Sequence, residues 1–246
     1  RANTKLLKEK AQNVVFLFPG QGDQYVNMCR SLYETEQVFR DAMDECAGIL
    51  QETLKENILD VIYPKTVNEQ AADKIKNTKY SQPALFSIGY ALGKLWMSWG
   101  INPAAFVGHS IGEFVSAYFA GVFSLEDGLK LIAARGSMMG SLPGGSMLSV
   151  RMGYEEIRPY LSDTIALAAV NSPQLCVVAG SDEAISALSE TLNAKEVLNR
   201  LLSTSHAFHS HMMDEVVTPF EEVVKTIQLN APQIPIASSV TGKWLQ

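Results

Sequence analysis

The chain has 246 residues, 47% of them hydrophobic and 19% charged, enough to bury a full core in one large domain or one domain with an inserted lobe. Its 20 lysines and arginines against 26 acidic residues leave a net charge of -6, which speaks against nucleic acid and anionic membrane surfaces as partners. No apolar run approaches the roughly 18 residues of a membrane span, and Cys29, Cys46 and Cys176 lack disulfide-framework or metal-ligand spacing, so a reduced, cytoplasmic setting is expected.

Residues 1–13 are polar and lysine-rich and read as a linker. Val14 to Phe18 is a continuous apolar run, as in a strand covered on both faces, and it ends in Pro19-Gly20-Gln21-Gly22. A glutamine between glycines after a buried strand is either a strand-ending turn or a loop whose amides approach a ligand. Helical spacing follows at Met28 to Tyr33, Val38 to Leu50, Leu54 to Ile62 and Ala71 to Thr78. Ser81 reads as the cap of a helix over Ala84 to Trp99, with Pro83 in its first turn. That helix is apolar nearly all round and is expected to be buried.

Ala105-Phe106-Val107 then leads into Gly108-His109-Ser110-Ile111-Gly112, and Glu113 to Ala120 is again helical. Strand, sharp turn and helix around Gly-x-Ser-x-Gly describe a nucleophile elbow, in which the glycines relieve crowding and the serine hydroxyl is left exposed at a helix N-terminus. Ser124 opens a helix to Met139 that contains Arg135, a residue open to two readings: a structural role, snorkelling to solvent or making an ion pair, or a clamp for a ligand carboxylate.

From Gly144 the pattern changes. Ser146 to Met152, Ile165 to Val170, Leu175 to Ala179 and Val197 to Leu202 read as strands, with helices at Tyr154 to Leu161 and Asp182 to Leu192. This is the split unit of a ferredoxin-like sheet inserted in a larger fold. Asn171-Ser172-Pro173 is its middle turn, although Asn171 can instead project an amide toward a site. Three histidines then crowd into Ser205-His206-Ala207-Phe208-His209-Ser210-His211. With no cysteine or carboxylate at ligand spacing, no metal is expected, and one general base is the economical reading. A helix over Met212 to Ile227 and a strand from Ile234 to Val240 complete the pattern.

Phe18 to Gly22, Gly108 to Gly112 and Ser205 to His209 together resemble the acyltransferase domains of modular polyketide synthases, close kin of malonyl-CoA:acyl carrier protein transacylases. The resemblance extends over Gln82-Pro83-Ala84-Leu85, Ala134-Arg135-Gly136, Pro143 to Met147 and Asn171-Ser172-Pro173. It implies an α/β fold: a large α/β-hydrolase-like subdomain with a parallel sheet (14–143 and 205–246) and an inserted ferredoxin-like small subdomain (144–204). It also implies Ser110 as nucleophile, His206 as general base, and the backbone amides of Gln21 and Ile111 as oxyanion donors. Arg135 would pair with the substrate's free carboxylate, and Phe208, His109, Gln82 and Asn171 would line the substrate site.

The implied reaction moves a malonyl group from malonyl-CoA through malonyl-Ser110 to the phosphopantetheine thiol of an acyl carrier protein, with no bound cofactor. A neighbouring ketosynthase domain is an implied partner, and neither nucleic acid nor membrane is. His-Ala-Phe-His goes with malonyl in this family, where Tyr-Ala-Ser-His goes with methylmalonyl. The family's last part, which orients the histidine through a backbone carbonyl, is expected to lie beyond Gln246. Two other readings stand beside this one: a serine hydrolase with water as acceptor, and a non-catalytic scaffold domain.

Overall fold

The computed structural model describes residues 13–245, so the linker expected over 1–13 lies outside the described residues up to residue 12. In chain order the elements are β1 (Val14–Phe18), α1 (Arg30–Thr35), α2 (Gln37–Leu54), α3 (Ile58–Ile62), α4 (Glu69–Lys76), α5 (Thr78–Ser98), β2 (Pro103–Gly108), α6 (Gly112–Phe119) and α7 (Leu125–Gly140). There follow β3 (Ser146–Val150), α8 (Tyr154–Ile157), β4 (Ile165–Ser172), β5 (Leu175–Gly180), α9 (Asp182–Ala194), β6 (Asn199–Leu201), α10 (Val217–Val224) and β7 (Ile236–Ala237). Short 3-10 turns cover Arg158–Tyr160 and His211–Val216, where longer helices were expected.

Two sheets divide the work. β1, β2 and β7 form a parallel sheet in that order, with Phe18 beside Gly108. β4, β5, β3 and β6 form an antiparallel sheet in that order, built wholly from residues 146–201. Strand, helix, two strands, helix, strand with this order is the ferredoxin-like arrangement, so the mixed α/β architecture expected from the sequence is present.

The larger core forms where Phe18, Phe106 and Phe119 stack between the parallel sheet and α5, with ring centroids 5.8–6.3 Å apart. Most of α5 is buried against α2 and α7, as its apolar circumference requires. A second core lies between the antiparallel sheet and α9, around Leu148, Val178, Ile185 and Leu192. A third cluster, with Met139, Met147, Val177, Phe208 and Met213, joins the two parts and forms the floor of the site described below. A groove of about 430 Å³ beside β1 is lined by Leu17, Leu85, Leu92, Trp96 and other residues, none of them titratable, and offers no chemistry.

Three local expectations are corrected. α5 starts at Thr78, capped by the Asn77 side chain, which accepts from Lys79 N; Ser81 is therefore a buried helix residue and Pro83 lies inside the helix. Packing of the whole helix outweighs the missing proline N–H, and the earlier start puts Thr78 and Gln82 on one face. β4 continues through Asn171 to Ser172, with an irregularity after Val170, so the hairpin turns at Pro173-Gln174 and Asn171 belongs to a strand. β6 and β7 are shorter than the apolar runs at Val197 to Leu202 and Ile234 to Val240 suggested, since pairing partners exist for only part of each run.

α7 approaches α5 closely at Gly136. A Cβ there would stand 2.7 Å from Thr78 O, whereas one at Gly140 would meet nothing closer than 3.7 Å. Gly136→Ala should lower the melting temperature by about 2–6 °C in a thermal unfolding experiment, overpacking outweighing the gain in helix propensity. Gly140→Ala in the same experiment should leave it unchanged or slightly raised.

Candidate active site

Parallel pairing of β1 and β2 brings two loops out at the same end of neighbouring strands, the usual position of a ligand site in an open α/β sheet. One loop carries Gln21 and the other carries Ser110. The two are tied where His109 N donates to Phe18 O at 3.0 Å. Gly112 fits only because it lacks a side chain, since a Cβ would fall 2.2 Å from Phe18 O. Ser110 adopts φ 53°, the left-handed region that a non-glycine residue enters at a cost, and the strain aims its hydroxyl away from the crowded turn.

Ser110 Oγ lies 2.9 Å from His209 Nε2. His209 is itself a second left-handed residue, φ 59°, in a turn held by Ser210 Oγ, which donates to Ala207 O and accepts from Met212 N. The histidine expected beside Ser110 was His206, and this is corrected. His206 is buried, its Nε2 donates to Leu142 O at 3.1 Å and its Nδ1 accepts from Ser205 Oγ at 2.8 Å. With a carbonyl on one nitrogen and a hydroxyl on the other, its ring has no free position for chemistry. Its centroid is 5.8 Å from that of Phe208, so it supports the wall of the site from behind.

A cavity of about 100 Å³ opens over Ser110, lined by Gln21, His109, Arg135, Asn171, Phe208 and His209 among others. Of the residues expected at the site, these gather with Ser110 around the cavity; His206 and Gln82 do not line it. Ile111 is buried and caps α6. Among the described residues neither the Ile111 nor the Gln21 amide donates to another backbone carbonyl, so both are available to an oxyanion. A polar cleft of about 340 Å³ adjoins the cavity at Gln21 and Thr204, and an apolar groove of about 440 Å³ adjoins it at Arg135 and His209. Among the described residues no three histidine, cysteine or acidic side chains stand together as a metal site would require.

Arg135 sits on the cavity wall, partly buried, with Nη1 donating to Gln82 Oε1 at 2.7 Å and the guanidinium 5.8 Å from the Phe114 ring centroid. None of the ion pairs among the described residues involves it. Burial presses its pKa down to about 10. His209 is likewise lowered from 6.5, first by burial of its ring, then by Arg135 and His109, with Glu113 opposing. Its ring is therefore neutral at pH 7 and able to accept a proton from Ser110. The arrangement brings together a strained serine, a neutral histidine, two free amides and a cation with no acidic partner among the described residues, groups of the kind that acyl transfer uses.

Residues 15–244 match the family model for the acyl transferase domain. The chain belongs to the acyl transferase domain family. It is 38% identical over 236 residues to a phenolphthiocerol/phthiocerol polyketide synthase of Mycobacterium tuberculosis, covering 96% of this chain and 16% of that protein. It is 36% identical to a PKS-NRPS hybrid synthetase of Aspergillus niger, covering 95% of this chain and 13% of the other. The chain thus spans about a sixth or less of the length of these curated relatives.

Among solved structures, the acyl transferase domain of ZmaA superposes with a TM-score of 0.88 at 42% identity, covering 98% of this chain and 56% of that one. The malonyl-CoA:acyl carrier protein transacylase of Xanthomonas oryzae superposes with a TM-score of 0.83 at 27% identity, covering 94% and 74%. The acyl transferase domain thus shares its two-part fold with those structures.

The sequence pattern alone did not show the facing histidine or the network behind Arg135. Three histidines within seven positions signalled a base, but the spacing carries no sign of which one a left-handed turn would point at the serine. His206→Ala should lower thermal stability by about 1–3 kcal/mol through loss of two buried hydrogen bonds and still permit acylation of Ser110. His209→Ala should slow acylation about 10²–10⁴-fold with little change in melting temperature. In the parent, the acylation rate should fall as pH drops through a midpoint below 6.5, where His209 becomes protonated. Acylation rates across pH, with melting curves alongside, check all three.

Proposed function

We propose that this chain is the extender-loading acyltransferase of a polyketide synthase, moving a malonyl group from malonyl-CoA to the phosphopantetheine thiol of an acyl carrier protein. The observation that carries the reading is Arg135: a partly buried guanidinium without an acidic partner among the described residues, on the wall of the cavity that holds Ser110. A buried cation of this kind invites an anion, and its planar fork matches a carboxylate with two parallel hydrogen bonds. Malonyl ends in such a carboxylate. A hydrolase for neutral esters has no use for it.

In the first half-reaction His209 removes the Ser110 proton as Oγ attacks the thioester carbonyl. Negative charge on the carbonyl oxygen meets the amides of Gln21 and Ile111. The tetrahedral intermediate collapses, the C–S bond breaks, His209 returns the proton to the departing CoA thiolate, and malonyl-Ser110 remains. In the second half-reaction His209 takes the proton of the carrier protein's thiol, whose sulfur attacks the same carbonyl; Ser110 Oγ leaves and regains the proton. Water, if admitted, would give free malonate instead. No cofactor enters these steps. The names of the curated relatives, a polyketide synthase and a PKS-NRPS hybrid synthetase of which this chain matches a sixth or less, support a place within a larger synthase, in which a ketosynthase domain would be the neighbour. Among the described residues no helix is long and apolar enough to cross a membrane.

The carboxylate clamp is tested by intact-protein mass spectrometry after mixing with malonyl-CoA. The parent should gain one malonyl group, Ser110→Ala none, and Arg135→Ala a fraction formed at least about 10²-fold more slowly, as for loss of a charge-assisted pair in a water-poor site. Equal adduct from Arg135→Ala and parent would remove the carboxylate argument.

Extender choice falls to Phe208, which is buried and faces the cavity where an α-methyl group would need room. One methyl group is worth about 1–3 kcal/mol of discrimination, so the preference for malonyl over methylmalonyl should be about 10–200-fold. Phe208→Ser should narrow that ratio in a competition between the two CoA esters, and an unchanged ratio would assign selectivity elsewhere.

A further inference from the structure

Arg135 is held by an amide where an acid would be the ordinary partner. Gln82 lies in the second turn of α5, fully buried, and its Oε1 accepts from Arg135 Nη1 at 2.7 Å. A guanidinium has donors only, so it turns the amide oxygen toward itself and the amide nitrogen away. Gln82 Nε2 consequently faces Gln21 Oε1 at 3.4 Å and Met139 Sδ at 3.5 Å, and Gln21 Nε2 donates to Thr78 Oγ1 at 3.1 Å. The polarity of the whole row follows from the arginine at its head. Gln82 does not line the cavity over Ser110, so whatever it does there it does through Arg135.

The neutrality of this partner is informative. Glutamate has the same reach and would bind the guanidinium more strongly, through a charge-assisted pair. Buried arginines are ordinarily paired with an acid for that reason. An acid at this position would also cancel the charge and leave little for a substrate carboxylate. Phe114, the other group packed on the guanidinium, likewise orients it without a negative charge. Both supports are neutral.

We propose that Gln82 is a positioning residue that sets acyl selectivity: it fixes the Arg135 guanidinium on the wall of the Ser110 cavity while leaving its positive charge free for the carboxylate of the acyl group. This rests on the reading of Ser110 and Arg135 as the acylation site. The test compares kcat/KM for acylation of Ser110 by malonyl-CoA and by acetyl-CoA, which differ only in the carboxylate, in the parent, Gln82→Glu and Gln82→Met.

The parent prefers malonyl. Gln82→Glu cuts the malonyl-to-acetyl ratio at least about tenfold, chiefly through the KM for malonyl-CoA, because an internal carboxylate now competes for the fork. Gln82→Met removes the hydrogen bond without adding charge and keeps more of the preference than Gln82→Glu does. A Gln82→Glu ratio equal to the parent's, or equal ratios in the two variants, overturns the proposal. Should Gln82→Glu fail to fold, Gln82→Met decides alone: malonyl acylation must fall about threefold more than acetyl acylation, and equal losses overturn it. A parent that does not prefer malonyl over acetyl refutes the reading of Arg135 itself, an outcome separable from failure at Gln82.

Discussion

Holding a guanidinium partly out of water without an anion is unfavourable, and a fold tolerates it only where the surrounding structure holds the group in place. Arg135 is that expense in this protein. Its helix, α7, lies against α5 at Gly136, so the arginine meets Gln82 on the facing helix and Phe114 beside it. Burial of the His209 ring is the main reason it is less basic than an exposed histidine, and the Arg135 charge adds to that, so the one unpaired cation also bears on the protonation of the neighbouring base. The amide row from Arg135 through Gln82 and Gln21 to Thr78 ties the cation to the loop whose Gln21 amide is proposed as an oxyanion donor.

The scaffold supplies position and the loops supply chemistry. β1 and β2 pair in parallel, and the loops at their ends meet over α6. Two of the left-handed non-glycine residues, Ser110 and His209, meet here, 2.9 Å apart at the side-chain atoms that would react. His209 comes from the segment that returns from the antiparallel sheet, and Phe208 next to it packs with Met147 and Val177 of that sheet. The cavity is therefore shared: the parallel part carries the serine, the amides and the cation, and the antiparallel part carries the wall that would judge the α-carbon of the acyl group.

Much of this was legible in the chain. Apolar runs with the period of a buried strand marked β1, an all-round apolar pattern marked α5 as internal, and glycines on either side of Ser110 marked the elbow, because each of these follows from local sterics and burial. The order of strands and helices from Ser146 onward was enough for the ferredoxin-like sheet. What local pattern misread was set by contacts distant in sequence. Ser81 and Pro83 suggested a helix start, yet packing of α5 against α2 and α7 outweighed the proline and moved the start to Thr78. Asn171 looked like a turn residue, yet pairing of β4 with β5 resumes beyond it at Ser172, which leaves Asn171 at an irregularity within the strand.

The sequence by itself determined the class of fold and the elbow that carries the serine, since composition, periodicity and turn chemistry are properties of short stretches; the parts expected of a histidine and of Arg135 came from the resemblance to acyltransferase domains, not from local pattern. Which of His206 and His209 faces Ser110, and whether Arg135 has an acid to neutralise it, only the tertiary structure decided. Both depend on which atoms the folded backbone brings within hydrogen-bond distance, across 99 positions for the serine and its histidine and 53 for the arginine and its glutamine. A side chain's partner is fixed by that encounter, and nothing within a few residues of it in the chain carries the information.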